Sequence, residues 1–277
     1  MVFQPAIKWS GSKRSQCNEI IKHFPKKIKT YYEPFCGGAS MLRCLLDSDI
    51  EAEHYICSDL NSDLINLWNK IKSDADYLST VYELYWTEMN DLSTESEKRE
   101  YYEYRRSEFN RDRFSGDFIF LNRTCFNGLI RYNSKGEFNS PFHLKRKGIE
   151  PNKFRKIINE WSDLLNKYNV KFINQSYDAI TVEEGDFAYL DPPYANTKGM
   201  YFDNFDKDKF FEFLRTLKCS YLLSYDGKSG DKDNTFEIPN DLYDKHYYMK
   251  SGNSSFKRLA EIDSDAVVYE SLYLKNI

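Results

Sequence analysis

Asp191-Pro192-Pro193-Tyr194 closes a short apolar run, Phe187 to Leu190, that follows Asp186. An acid, two prolines and an aromatic ring in that order suit the methylation of an exocyclic amine conjugated to an aromatic base. Such an amine is a weak nucleophile, because its lone pair is delocalised into the ring. An acceptor for each of its two hydrogens helps: Asp191 supplies a carboxylate and Pro192 a carbonyl oxygen. The prolines fix φ and hold that carbonyl in place, while Tyr194 offers a face on which a base can stack. Acceptors arranged in advance favour the charge that develops on nitrogen. The plainer alternative is an Asp-Pro turn after a core strand with Tyr194 as packing, and a four-residue motif leaves both open.

Something must deliver that cup. Residues 187 to 190 are apolar without alternation, as expected of a strand covered on both faces in a parallel sheet, and neither proline can continue a ladder. Ligands of open α/β sheets sit beyond the carboxyl ends of the strands, which is where Asp191 and Tyr194 fall. A second strand-loop-helix unit is expected over 30 to 46. There Tyr31-Tyr32-Glu33-Pro34-Phe35 leads into Cys36-Gly37-Gly38-Ala39-Ser40, a turn that lets the backbone approach a ligand. The next strand, Tyr55 to Ser58, ends at Asp59, 21 residues after Gly38. That is close to the roughly 20 at which a carboxylate meets ribose hydroxyls in such folds. Asp59 or Asn61 would serve equally as a helix cap.

The chain has 277 residues, 41% hydrophobic and 30% charged, with 22 Tyr and 20 Phe, enough for one large α/β domain or a domain with an insertion. Its six cysteines form no C-x-x-C pair and no framework spacing, so a reduced, cytoplasmic setting is expected, with no structural metal and no disulfide scaffold. Neither a signal segment nor an apolar run long enough to cross a bilayer is found, so no membrane partner is expected.

The net charge of −4 is unevenly spread: residues 1 to 30 hold seven Lys/Arg against one acid, residues 118 to 157 nine against two, and the remainder carries −17. Two basic patches on an acidic body fit a face that meets phosphates, although solvated lysine-rich helix faces explain Lys22 to Lys29 as well. Residues 5 to 15 read as a Gly/Ser loop ahead of a helix at 15 to 24, where Trp9, flanked by Lys8 and Lys13, is either core or the wall of a pocket. Residues 61 to 113 follow a helical pattern and suggest an inserted helical subdomain. The segment 118 to 142 mixes Asn, Arg, Gly and aromatic residues as if built for contact, with a hairpin turn at Asn133-Ser134-Lys135-Gly136. A ribbon of that size can enter a DNA major groove, or can pack its rings inward as plain structure. A helix at 151 to 168 and a strand at 170 to 177 follow, the strand ending in Ser176 and Tyr177. The 195 to 205 loop is expected as a lid or a packed aromatic loop. A helix at 206 to 218, a strand at 221 to 225, a mobile loop at 226 to 234 and strands near 245 to 250 and 266 to 274 complete the chain.

Four blocks, Lys8-Trp9-Ser-Gly-Ser-Lys13, Glu33-Pro34-Phe35-Cys-Gly-Gly, Ser58-Asp59-Leu-Asn61-Ser-Asp63-Leu and Asp191-Pro-Pro-Tyr194, together with the run from Asn122-Arg123 to Phe142, resemble the Dam family (D12 class) of DNA adenine-N6 methyltransferases, which includes adenine methylases of type II restriction systems. The resemblance spans residues 8 to 194; beyond 205 it rests on topology. It implies a Rossmann-like α/β sheet dependent on S-adenosylmethionine, with a target-recognition insertion at 61 to 156 between catalytic segments 1 to 60 and 157 to 277. The cofactor would lie against Trp9, Lys13, Phe35, Gly37, Gly38, Asp59, Ser176, Tyr177 and Asp191. Asp191, Pro192, Pro193 and Tyr194 would be catalytic, on an adenine flipped out of the duplex because N6 cannot reach a methyl donor while stacked. Lys8, Phe126, Asn127, Leu129, Arg131, Asn133, Pro141 and Lys145 would meet double-stranded DNA in GATC or a longer GAT-containing site.

The chain departs from the family in having Gly37-Gly38-Ala39 where Gly-Ala-Gly is usual. It also has His143-Leu144-Lys145 where Gly-Arg-Tyr follows the Pro-Phe pair, which puts contacts to the outer base pairs in question. A monomer is expected, with a cognate restriction endonuclease as partner where it serves a restriction system. Rival readings are a methylase of amide nitrogens in proteins, which would resemble an Asn at 191, and a non-catalytic sequence-specific DNA-binding protein, which would not need the cup.

Overall fold

The computed structural model describes residues 3–193, 205–229, 232–233, 235, 237–251 and 268–277. They form strands β1 Lys27–Glu33, β2 Glu51–Asp59, β3 Lys171–Asn174, β4 Phe187–Leu190, β5 Ser220–Tyr225, β6 Lys228–Ser229, β7 Lys232–Asp233, β8 Lys245–Ser251 and β9 Val268–Lys275, and helices α1 Cys17–Ile20, α2 Ser40–Leu46, α3 Ser62–Ser73, α4 Ala75–Asp91, α5 Glu95–Asp112, α6 Ser115–Thr124, α7 Pro151–Lys167 and α8 Lys207–Thr216. The chain is mixed α/β and divides into two compact units, one of Phe3–Ser12 with Asn61–Asn174, the other of Lys13–Leu60 with Gln175–Ile277.

The second unit is built on the sheet. β2, β1, β4 and β5 are parallel neighbours in that order, with Tyr31 opposite Tyr55 on one side and Phe187 on the other. β9 runs antiparallel to β5, pairing Tyr225 with Ser271, and β8 flanks β9 in turn. This is a Rossmann-like α/β sheet. Because the chain leaves β1 toward β2 and later returns to β4 on the other side of β1, a topological switch point lies at the carboxyl ends of β1 and β4. All four residues of β4 are buried, as its apolar run requires. Asp186 secures its start by accepting from the Glu183 amide at 2.8 Å. On one face of the sheet Phe210, Phe211, Phe213 and Leu214 of α8 pack against Ala188, Leu190, Tyr221 and Leu223.

The first unit is largely helical. Asn61 caps α3 by accepting from Leu64, and a Thr94–Glu97 capping box starts α5. Glu150 caps α7, whose buried Phe154, Ile157, Ile158, Trp161 and Leu165 recur at helical spacing. Trp68 of α3 lies parallel to Phe172 of β3 with ring centroids 5.2 Å apart. The segment expected at 61 to 156 lies wholly inside this unit.

Three expectations change. Residues 118 to 124, read with the contact segment, lie in the buried part of helix α6: Phe118, Ile119, Phe120 and Leu121 are core, and Asn122 and Arg123 turn inward to partners distant in sequence. The turn at Asn133 to Gly136 forms, with the Gly136 amide donating to the Asn133 carbonyl. The flanking chain is held by two isolated bridges, Cys125 to Phe142 and Tyr132 to Phe138, in place of a regular ribbon. Within the loop expected at 226 to 234, β6 and β7 pair antiparallel. Residues 195 to 204 of the expected lid lie outside the described residues; Phe205 packs edge-on to Phe35 at 6.2 Å.

Candidate active site

Four acids stand at one edge of the parallel sheet: Glu33 and Asp59 as the last residues of β1 and β2, Asp191 and Asp226 as the first beyond β4 and β5. Each follows from the same local rule, a polar residue where the buried strand emerges. Glu33 is the most enclosed. Its Oε2 accepts from the Tyr31 hydroxyl at 2.7 Å and the Leu42 amide at 2.9 Å, which ties the end of β1 to α2. Burial pushes its carboxyl up to about 8 against the pull of those hydrogen bonds, and the charge of Asp191 adds to the rise.

Between β1 and α2 the chain turns tightly. Gly37 and Ala39 both take positive φ, 45° and 50°. The Cys36 amide donates to the Ser58 carbonyl, and the Gly37 amide to Asp59 Oδ2 at 3.1 Å. The glycine turn and the acid of β2, singled out separately in the sequence, are thus directly bonded. Phe35 leaves the same turn and stacks on Tyr177, centroids 5.3 Å apart, beside half-buried Ser176.

Lys13 is 4% exposed, and its ammonium lies 3.0 Å from Asp191 Oδ1 and 3.5 Å from Glu270 Oε2. Asp191 is only 18% exposed, with Pro192 buried and Pro193 half-buried behind it. Glu270, on β9, also accepts from Gln16 Nε2 at 3.1 Å. Burial and the neighbouring Glu270 push the Asp226 carboxyl up to about 6, with Lys13 opposing. The unit therefore brings together Lys13, Phe35, Gly37, Gly38, Asp59, Ser176, Tyr177, Asp191, Pro192 and Pro193; Tyr194 lies outside the described residues. Glu33, Asp226 and Glu270 were not singled out. The strand-end rule that found Asp59 and Asp191 also points to the first two, and an acid inside Val268-Tyr269-Glu270-Ser271-Leu272 is a signal of its own.

Lys8 and the other DNA-contact candidates belong to the helical unit, and so does Trp9, which the resemblance puts at the cofactor and which is not in the unit that holds the other cofactor candidates. The Lys8 backbone is clamped by Asn122, which accepts from its amide at 2.8 Å and donates to its carbonyl at 2.7 Å. Arg123 donates to the carbonyls of Pro5 and Ala6 and fixes the same arm. Burial, with Arg146 and Arg123 nearby, lowers the Lys8 ammonium to about 8. Phe126, Arg131, Pro141 and Lys145 are exposed and Trp9, Asn127, Leu129 and Asn133 half-buried. Phe126 stacks on His143, and Ser140 Oγ accepts from the Arg131 amide at 3.1 Å. Tyr132 is tethered through Asp63, 2.8 Å from its hydroxyl, which also pairs with Arg113 at 3.1 Å.

A parallel sheet with acids gathered at its switch point is an α/β fold of the kind whose ligands bind at the strand ends. The chain belongs to the D12 class N6 adenine-specific DNA methyltransferase family, whose model matches residues 9–267. It is 36% identical to the type II methyltransferase M.MjaIII of Methanocaldococcus jannaschii over 70% of each chain. To the DNA adenine methylase of Escherichia coli K12 it is 35% identical over 68% of this chain and 64% of that one. Among solved structures, the rRNA methyltransferase aviRa of Streptomyces viridochromogenes, in its 2.4 Å structure, aligns with a TM-score of 0.40 and 12% identity over 96% of this chain and 85% of that one. The protein is thus an adenine-specific DNA methyltransferase, with DNA as substrate and a methyl donor implied. None of the described helices is long and apolar enough to cross a membrane.

Proposed function

We propose that the chain moves a methyl group from S-adenosylmethionine to N6 of an adenine swung out of duplex DNA, in GATC or a longer GAT-containing site. The observation that carries this is Asp191, held by Lys13 at the tip of β4 with the rigid Pro192-Pro193 pair behind it. The site's chemistry suits the cofactor: Asp59 and the Gly37-Gly38 turn for ribose, the Phe35 and Tyr177 rings and Ser176 for adenine, Lys13 for the remainder. The acids Asp191, Asp226 and Glu270 outnumber Lys13, a balance that favours a bound cation. When bound, S-adenosylmethionine supplies an electrophilic methyl on a positively charged sulfur.

The chain's own residues do the rest. Asp191 and the Pro192 carbonyl accept the two N6 hydrogens, Tyr194 stacks on the extruded ring, and Asp191 takes the proton that nitrogen must lose. In the helical unit, Lys8, Phe126, Asn127, Leu129, Arg131, Asn133, Pro141 and Lys145 form the DNA face, with 61 to 156 as the recognition insertion. The enzyme would act as a cytoplasmic monomer, beside a restriction endonuclease where one is present.

Labelled S-adenosylmethionine with duplex DNA or protein as acceptor tests this. Methyl groups should appear on adenine N6, and Asp191→Ala should abolish transfer with DNA binding kept. Label on protein, or none in any arm, rejects the proposal, and mapping the modified adenines reads the site.

A further inference from the structure

Among the described residues, Asp191 and Glu270 both form ion pairs with Lys13. Its distances to Asp191 and Glu270, 3.0 and 3.5 Å, differ by 0.5 Å. Because attraction between charges falls as the inverse of distance, the two pulls differ by roughly a seventh. Glu270 is itself fixed from several sides. Gln16 donates to its other oxygen at 3.1 Å. Met249 of β8 lies opposite it, and the next residue, Ser271, pairs with Tyr225 at the end of β5. The chain leaving β5 runs so close to β9 that a Cβ on Gly227 would sit 2.2 Å from the Tyr269 carbonyl oxygen. Only glycine permits that approach, and it brings Asp226 and Glu270 to the same corner of the crevice.

We infer that Glu270 is a positioning residue for methyl transfer, the alternative anchor that takes Lys13 when the target amine claims Asp191. This deepens the reading of Asp191 as the amine's acceptor and rests on it. An ammonium at 3.0 Å occupies Asp191 Oδ1 and draws charge from the carboxylate, both of which work against accepting an N6 hydrogen. Each step of travel toward Glu270 weakens both effects, and Lys13 keeps a carboxylate partner throughout the move. With Glu270 neutral, the pull that draws Lys13 away from Asp191 is weakened, and the amine must compete with a tighter ion pair.

The measurement is single-turnover methylation of duplex DNA by the full chain. Glu270→Gln should slow the step by about ten- to a hundred-fold, the range a misplaced catalytic group produces, with DNA affinity within about two-fold of the parent. Glu270→Asp keeps the charge on a shorter stem and should recover part of the rate. On a Lys13→Met background, Glu270→Gln should add nothing, since residues acting through one another are not additive. An unchanged rate in Glu270→Gln overturns the inference, as does an undiminished further loss on the Lys13→Met background. Should Glu270→Gln not fold, Glu270→Asp decides alone: a rate equal to the parent's overturns the inference and an intermediate rate supports it. Asp191→Ala run in parallel separates the two layers. Activity surviving there removes the reading of Asp191, whereas a dead Asp191→Ala beside an active Glu270→Gln removes only the role of Glu270.

Discussion

Replacing Glu33 by Gln should make stability less dependent on pH between 5 and 8. Glu33 is 3% exposed, and burial raises its carboxyl from the ordinary 4.5 to about 8. A carboxyl raised in the folded state keeps its proton there while the unfolded chain releases it. Its contribution is therefore full below about 4.5, declines as pH rises to about 8, and levels off above. Each pH unit in that window removes about 1.4 kcal/mol, so from pH 5 to 8 the parent should lose about 4 kcal/mol through this one group. Gln cannot titrate, yet it retains an oxygen for the Tyr31 hydroxyl and the Leu42 amide. Any fixed cost of burying its amino group is the same at both pH values and cancels. Urea unfolding of both proteins at pH 5, 6.5 and 8 gives the slopes. A shift half as large still exceeds the extrapolation error of roughly 10–15% for a protein of ordinary stability. Parallel slopes in the two proteins would mean that Glu33 is already ionised in the fold, and would refute the reasoning.

Gly128 has φ +67°, and a Cβ there would meet Lys8 Cβ and Cδ at 2.8 Å and Arg146 Nη1 at 3.2 Å. Gly128→Ala should cost about 1–3 kcal/mol from strain and overpacking and weaken DNA binding by displacing Lys8; a variant matching the parent in both thermal unfolding and a binding titration would contradict this. Arg131→Ala should relax sequence preference more than it lowers affinity, while Lys145→Ala should weaken binding evenly and reduce the salt slope by about one. Titrations against matched and mismatched duplexes at several salt concentrations distinguish the two, and the reverse pattern removes the 126 to 145 segment from base readout.

Local chemistry made much of the site legible before any coordinates. β4 was readable from four apolar residues stopped by two prolines, α7 from its helical spacing, and the crevice from a glycine turn and two acids at strand ends. What stayed hidden depends on partners far away in the chain. Asn122 and Arg123 look like contact residues because polar side chains beside Phe126 and Arg131 invite that reading. Their partners are the backbone of Lys8, Pro5 and Ala6, more than a hundred positions earlier. A buried arm explains their polarity without any ligand. Glu270 was missed for the complementary reason: its significance comes from Lys13 and Gln16 across the sheet edge, and nothing within β9 announces them.

The strand-end acids also carry a consequence that no single motif holds. In a parallel sheet every strand delivers its last residue to the same edge, so Glu33, Asp59, Asp191 and Asp226 repeat one local choice and add up to one field. Four ionised carboxylates there would repel one another strongly. The fold moderates this in three ways: Glu33 is buried deeply enough to keep its proton through neutral pH, Asp226 holds its proton up to about pH 6, and Lys13 is inserted between Asp191 and Glu270. Asp191 therefore stays close to its cation rather than facing a row of unscreened anions. That corner is left mildly anionic, which would suit the proposed sulfonium donor and a weakly nucleophilic amine and would disfavour a phosphate at the same point. Under the proposed function, phosphates would be met in the helical unit, where Arg131 and Lys145 are exposed. If that proposal holds, neutralising Lys13 should disturb the strand-end corner while leaving DNA affinity unchanged in a binding titration.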